Sequence, residues 1–485
     1  MLPPHPSALM ESLRAFGYDM STALADLVDN SIAAGAREVR IEFSSDPGGA
    51  WVAVVDDGCG MTESRLHEAV RFGGLGPDRP RDKSDLGRFG LGLKTASLSQ
   101  CRHLTVMSRT LGGTTSVRSW DMDLVRDTGD WCVLTAADEQ AVRIAEEVGF
   151  TGIGTMVLWR HLDRAGDGPL LARRLARTRA RLEMWFHRFL ESGRLRLSHG
   201  RRESVAWDPF MRDLMATQDT GPELLRGAGE AVRVTPYVLP HPARLTESEL
   251  ATGAGPRGWN AQQGFYVYRG DRMVSAGGWL GLRDLTQTPT TRLARIAVDI
   301  SPSADARWQV DVRKSRVHPP AELENRLFAL AEHTREASRR VFRRRQPGSS
   351  GAPGAAEVAV VWQQVRRPDG RVCYTVNRRH PLTAAALQSS DAGALEAILR
   401  LVEASLPIGY IALEAQADMT RVPQASLEGA TEDQARADLE AMLGALPAEP
   451  AMRRAVLRVL ATSEPFNRFP RLLEQIAAHD PADGA

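Results

Sequence analysis

Ala25-Asp26-Leu27-Val28-Asp29-Asn30-Ser31 is the run whose reading decides the fold. Around it, Leu24, Leu27, Val28 and Ile32 recur at i, i+3, i+4 and i+8, which makes one apolar helical stripe able to bury against a sheet. Asp26 and Asn30 lie four apart and share another face, one turn above each other. A carboxylate stacked on a carboxamide suits a nucleotide site, where the acid orients a water and the amide oxygen holds a hard cation through its hydration shell. The same spacing also occurs on ordinary solvated helix faces.

Working outward, the 485 residues exceed one ordinary core and predict two or three domains. A hydrophobic content of 43% and a charged content of 25% are those of a globular chain. No apolar run approaches membrane-spanning length, and the opening MLPPHPSALMES lacks the regions of a signal peptide, so no membrane association and a cytoplasmic location are expected. Cys59, Cys101, Cys132 and Cys373 are widely spaced, which argues for free thiols over a disulfide framework or a zinc site. A net charge of +1 offers no global argument for nucleic-acid binding.

Strands are predicted at Glu38 to Phe43 (EVRIEF) and Trp51 to Asp56 (WVAVVD). The second enters the turn Asp56-Asp57-Gly58-Cys59-Gly60-Met61, where two glycines let the backbone approach a flat ligand and a carboxylate can accept from an exocyclic amine. A plain turn would read the same way. Arg71 to Leu86 is rich in Gly, Pro and charge and reads as a long loop over a site. It runs into Gly87-Arg88-Phe89-Gly90-Leu91-Gly92-Leu93-Lys94-Thr95-Ala96 and a helical SLSQC. Glycines opening a helix offer N–H groups and the positive dipole end to phosphate, and Lys94 adds a point charge. The order GxxGxG after a loop fits neither the dinucleotide fingerprint nor the P-loop. Strands follow at His103 to Arg109, around Thr115 to Met122, and at Thr151 to Trp159, where Gly154-Thr155 opens an apolar run.

The ordered set Asp26 to Asn30, Asp56-Asp57-Gly58-Cys59-Gly60, Gly87 to Gly92 and Gly154-Thr155 resembles the four motifs of the GHKL ATPase superfamily, which includes gyrase B, Hsp90, sensor histidine kinases, MutL and MORC proteins. The resemblance implies an α+β chain opening with a Bergerat fold, a mixed sheet with helices on one face that holds ATP. By that likeness Asn30 coordinates Mg2+ and Asp56 binds the adenine amine, with Gly58, Gly60 and Met61 in the same cradle. Gly87, Phe89, Gly90, Leu91, Gly92, Leu93 and Lys94 take the phosphates, and Thr155 supports Asp56. Asp26 orients the attacking water where MutL and MORC relatives carry glutamate, one methylene longer. A second departure is Ala33, where MutL-like proteins have aspartate.

Leu170 to Leu190 reads as one basic helix, with its arginines on a solvated or salt-bridged face. Gly264 to Val274 predicts a hairpin around Gly270-Asp271 and resembles the hairpin that opens the transducer domain of MutL-like proteins. Trp308 to Pro319 resembles the lysine-bearing loop of MutL, MORC and topoisomerase transducers, which implies that Lys314 reaches the γ-phosphate from the second domain. The expected organisation is an ATPase domain over 1–195, an S5-like transducer over 196–345, a Gly/Pro/Ser linker over 346–356, and a mainly helical region with an opening hairpin over 357–485. The function implied is a slowly hydrolysing, Mg-dependent ATP switch, closest to MORC-like and MutL-like bacterial proteins. An ATP-dependent homodimer, DNA and a partner nuclease or effector are its expected partners, in repair, DNA manipulation or anti-phage defence. The alternatives are an Hsp90-like chaperone and a nucleotide-binding scaffold without turnover. A sensor histidine kinase would need a phospho-acceptor helix ahead of Asp26.

Overall fold

The computed structural model describes residues 5–14, 18–46, 49–72, 92–164, 166–227, 230–283, 285–305, 307–310, 317–343, 361–366, 372–387, 392–406, 432–444 and 470–478, with residues 454, 456, 457 and 460. They belong to two compact units, Met1–Ser338 and Arg339–Ala485.

The first unit opens with α1 (Pro6–Arg14) and α2 (Met20–Ala33), and α2 carries the quoted run. Its start is fixed by Asp19, whose carboxylate accepts from the Thr22 amide at 2.7 Å. Then come β1 (Glu38–Ser44), β2 (Trp51–Asp56), α3 (Glu63–Val70), α4 (Gly92–Leu98), β3 (His103–Arg109), β4 (Ser116–Asp121), α5 (Met122–Thr128), α6 (Glu139–Glu147) and β5 (Gly154–Arg160). They are followed by α7 (Gly168–Trp185), α8 (His187–Glu191), β6 (Arg196–His199) and β7 (Arg202–Glu203). The strands form one sheet in the order β4-β3-β5-β2-β1-β6-β7, mixed because β1 and β6 run parallel while the other pairs are antiparallel.

Why β2 reads as a continuous apolar run is visible in the packing. Val52 and Val54 face a core with Leu24, Leu27 and Val28 of α2, Ala96 and Leu98 of α4, and Leu171, Leu175 and Leu182 of α7. Trp51, Ala53 and Val55 face the other way, against Ala141, Ile144 and Ala145 of α6. A strand buried on both faces has no polar alternation to show. The structure therefore departs from the expectation of helices on one face alone, because α6 covers part of the other. Burying each Leu or Val of the α2 stripe contributes about 1.5–3 kcal/mol toward holding α2 on the sheet.

Three further expectations shift. The first sheet extends through β6 and β7 to Glu203, beyond the boundary drawn at 195. The helix read over 170–190 is two helices, since Phe186 leaves helical geometry at φ −109 and ψ 12 and its ring is fully buried in the first core. The helix at SLSQC also ends early, at Leu98, with Gln100 turned to donate to the Tyr18 carbonyl at 2.8 Å.

The same unit continues into a second sheet made of β8 (Gln218–Asp219), β9 (Glu223–Gly227), β10 (Glu230–Val238), β11 (Gly264–Arg269), β12 (Arg272–Ala276) and β13 (Ala294–Ile300), with α9 (Glu247–Ala254) between β10 and β11. Its order is β12-β11-β13-β10-β8, and β9 also pairs with β10. Gly270 and Asp271 both have positive φ, 54 and 68, which closes the β11–β12 hairpin in the tight form whose twist matches its strands. The long helix α10 (Ala321–Arg343) packs Leu323, Leu327 and Ala331 against the core of this sheet.

The second unit holds the hairpin of β14 (Trp362–Arg366) and β15 (Val372–Val376), then α11 (Pro381–Ala386) and α12 (Ala392–Ser405), and helices over Glu432–Gly444 and Pro470–Ala478. Arg378 ties the end of the hairpin to α12 through Glu396, at 3.0 Å, and Glu403.

Candidate functional site

The end of β2 meets the end of α2, and the residues between them form a cradle. Asp56 closes β2 opposite Thr155, the second residue of β5. One carboxylate oxygen, Oδ2, accepts from the Ser31 hydroxyl at 2.9 Å. The other accepts from the Gly58 amide at 2.9 Å and the Thr155 amide at 3.2 Å. Burial pushes the Asp56 carboxyl above its ordinary value of 3.8, against these three donors, with the Asp57 charge adding to the rise. Held in this way, Asp56 is an oriented acceptor at the end of β2.

The turn after Asp56 is pinned on both sides. Asp57 accepts from the Arg37 and Glu38 amides at 2.8 and 2.9 Å, and the Cys59 amide donates to the Ala34 carbonyl at the end of α2. A Cβ on Gly58 would lie 2.9 Å from the Ala34 Cβ. One on Gly60, at φ +67, would lie 2.0 Å from the Arg109 carbonyl oxygen. Gly154 makes the same kind of approach, with φ +130 and a Cβ position 1.9 Å from the Asp56 carbonyl oxygen. These glycines are therefore required by close backbone approach, not by loop freedom. Met61 half-buries against the first core, and its amide donates to Ser108 Oγ at 2.8 Å. Ser108 in turn meets Thr155 Oγ1 at 2.9 Å.

Ser31 and Ser108 were not singled out in the sequence. Ser31 had a signal, because it follows Asn30 on the helix whose end abuts the Asp56 turn. Ser108 had none, since a serine inside a β3 strand pattern does not reveal which strand will lie beside it.

On the other side of the cradle, Asp26 is buried at 6% exposure and Asn30 is exposed. Gly92, the first residue of α4, sits close enough that a Cβ there would lie 3.6 Å from Asp26 Oδ2. The N-terminus of α4 thus faces the Asp26 carboxylate, while Leu93 packs into the first core. Among the described residues, no side-chain hydrogen bond holds the Asn30 carboxamide. A free amide oxygen one turn from a carboxylate is a donor set that fits a hydrated Mg2+, an ion that takes few protein ligands and keeps its waters.

Lys94, expected at the phosphates, turns to α3. Its Nζ donates to the carbonyls of Ala69 at 3.0 Å and Arg71 at 2.8 Å, and Trp120 Nε1 donates to Val70 between them at 3.0 Å. These are the orphan acceptors of a helix C-terminus, and a cation is the group they attract. Burial pushes the Lys94 ammonium down to about 8. Gly87, Phe89, Gly90, Leu91 and Lys314 lie outside the described residues.

A second cluster of ligand-type side chains joins His187, Glu191 and Asp208, whose ligand atoms fall within 4.8 Å of one another. Arg212 pairs with Glu191 at 2.7 Å and with Asp208 at 2.9 Å, and Tyr268 meets the His187 Nε2 at 2.9 Å. A guanidinium already supplies the positive charge there, so the cluster is an ion-pair network. All four cysteines are free thiols.

Residues 18–155 match the family model described as histidine kinase-, DNA gyrase B- and HSP90-like ATPase, which spans this cradle from the start of α2 to Thr155. Among known proteins the chain is similar to ATPase morc-1 of Caenorhabditis elegans, with 31% identity over 88 residues. That match covers 18% of this chain and only 10% of the relative's length. No helix among the described residues is long and apolar enough to cross a membrane.

Proposed function

We propose that the chain, whose residues 18–155 are an ATPase domain of the GHKL superfamily, MORC-like in its similarities, is a Mg-dependent ATP-hydrolysing conformational switch. The observation that carries the reading is Asp56, a half-buried carboxylate oriented by Ser31, Gly58 and Thr155 at the end of β2. An acceptor so placed suits the exocyclic amine of adenine. The glycines at 58, 60 and 154 keep the surrounding backbone free of side chains that would fill the space.

In this reading the phosphates extend from Asp56 toward Gly92, where the α4 N-terminus offers N–H groups and positive dipole. By the resemblance, the stretch Gly87 to Gly92 binds phosphate as well. Asp26, against Gly92, orients the water that attacks the γ-phosphorus and accepts its proton. Asn30 holds Mg2+ through its carboxamide oxygen, and the ion supplies neutralisation of the phosphate charge when bound. Because aspartate is shorter than the glutamate of MutL and MORC relatives, turnover is slow. The scaffold reading without turnover rests on the same residue.

The wider role follows the resemblance and not the geometry. The sheet that follows β7 is read as an S5-like transducer, Lys314 as its contact with the γ-phosphate, and the state with ATP as a homodimer. The process is DNA manipulation, repair or defence against foreign DNA, in the cytoplasm, with DNA and a nuclease or effector as partners. Sizing or small-angle scattering with a non-hydrolysable ATP analogue and with ADP tests the switch. The analogue alone should compact or dimerise the chain, since only a triphosphate offers the differential contact that shifts an equilibrium. Lys314→Ala should keep ADP affinity and lose this response. Identical profiles with both nucleotides would remove the switch.

A further inference from the structure

One ion pair joins the nucleotide helix to the second sheet through the interior. Asp29 of α2 is fully buried, Arg272 at the start of β12 is 4% exposed, and Arg272 Nε donates to Asp29 Oδ1 at 3.1 Å across 243 residues of chain. The guanidinium lies over the ring of Phe186 at 4.4 Å and near that of Trp185 at 5.2 Å, at the break between α7 and α8. Its Nη1 donates to the Met273 carbonyl. Arg272 is thus fixed in plane by two rings and in direction by a carboxylate and its own strand.

The hairpin that carries Arg272 is itself clamped. In the turn, Asp271 pairs with Arg188 at 3.3 Å and Arg194 at 2.7 Å, and Arg188 also pairs with Asp299 of β13. The Arg188 guanidinium lies 3.5 Å from the centre of the Tyr268 ring. On the inner side Arg269 pairs with Asp305 at 2.7 Å. The β11–β12 hairpin and α8 therefore move as one body, and Asp29 is where that body grips α2.

Position along α2 gives this grip its consequence. Asp29 immediately precedes Asn30 and follows Asp26 by three residues, so one turn of helix carries the water-orienting acid, the metal ligand and the anchor. A change in tilt or rotation of that turn, were triphosphate and metal to engage Asp26 and Asn30, would displace the Asp29 carboxylate and act on β12 through the buried pair. An apolar pair of equal volume would hold the interface at least as stably, whereas a fixed charge pair adds direction.

We propose that Asp29 and Arg272 are positioning residues that couple the nucleotide state of α2 to the second sheet, an inference that rests on the ATP-site reading above. Asp29 is then excluded as the catalytic base, since its carboxylate is committed to Arg272 away from solvent.

The test uses the full chain with Asp29→Asn/Arg272→Gln, which removes both charges and leaves neither alone, and with Arg272→Lys, which keeps the charge and loses the planar fork. Calorimetry measures affinity for ADP and for a non-hydrolysable ATP analogue, hydrogen exchange follows residues 264–276 with each nucleotide, and phosphate release gives turnover. In the wild type the analogue, and not ADP, should protect 264–276. Both variants should keep ADP affinity and lose that protection, with turnover falling roughly 2- to 30-fold, the range for residues that carry coupling without touching ligand. If the double variant does not fold, Arg272→Lys decides alone. Variants with wild-type turnover and analogue-dependent protection would overturn the coupling while leaving the ATP site intact. A variant that melts earlier but keeps both would equally show the pair to be structural only. A wild type that binds neither nucleotide would overturn the site itself, and the coupling with it.

Discussion

The two sides of the cradle are built differently. On the side of Asp56 every polar group is already engaged, with three donors on one carboxylate, Ser108 bridging Met61 and Thr155, and glycines packed to within backbone contact. On the side of Asp26 the acid is buried, while the residues expected to work with it are turned to solvent or to another helix. Asn30 is exposed, and Lys94 serves the end of α3. In the proposed reading the difference makes recognition of the base and work on the phosphates separable, the first resting on the ends of β2 and β5 and the second on α2 and α4.

The largest effect expected is on the side of Asp26. Asp26→Asn keeps the size of the acid and loses its ability to take a proton, so phosphate release should fall about 10²- to 10⁴-fold with ATP affinity little changed. Asp26→Glu should keep or raise turnover. Wild-type turnover in Asp26→Asn would collapse the contrast, because the side held to do the chemistry would not need its acid.

Next in size is the prebuilt side. Asp56→Ala removes a charged acceptor and should weaken ATP and ADP alike, by about 10- to 150-fold for a loss of roughly 1.5–3 kcal/mol. A loss confined to ATP would mean that Asp56 senses phosphates and that the two sides are not separate. Acid offers a milder version of the same test. With its carboxyl raised above 3.8, Asp56 takes up a proton before an ordinary aspartate does as pH falls. Nucleotide affinity should therefore decline in a window that opens above 3.8. A raised carboxyl favours the folded state on the acid side, so this decline is not unfolding driven by Asp56. Titrating ATP affinity against pH, with circular dichroism as the check on folding, distinguishes the two.

How far the sequence was legible follows the same division. The strand ends Asp56 and Thr155 could be read because their neighbours are glycines and apolar runs, and both signals come from backbone and burial. The helix pair Asp26 and Asn30 could be read from periodicity alone. Ser108 could not, since a hydroxyl inside a strand becomes a ligand holder only through the neighbour that the sheet register delivers. The role of Asp29 was hidden for a stronger reason: its partner Arg272 is 243 residues away, and no local pattern encodes an ion pair across that distance. Lys94 shows the converse. A lysine beside glycines at a helix start reads as a phosphate ligand, yet three unsatisfied carbonyls at the end of α3 lie nearer, and Trp120 and Lys94 meet them.

The smallest effect concerns that lysine. Burial lowers the Lys94 ammonium from 10.5 to about 8, so below pH 8 the folded and unfolded states both carry its charge and the burial penalty stands in full. Between about 8 and 10.5 the folded protein has released this proton while the unfolded chain retains it, and stability rises with pH. The neutral amine still has two N–H groups, enough for the carbonyls of Ala69 and Arg71. Relative to Lys94→Met, the wild type should therefore gain stability above pH 8 with a slope of up to about 1.4 kcal/mol per pH unit. Urea melts of both proteins at pH 7, 8, 9 and 10 measure it. If the difference between them is flat in pH, Lys94 is not held on α3, and its charge is available to the phosphates after all.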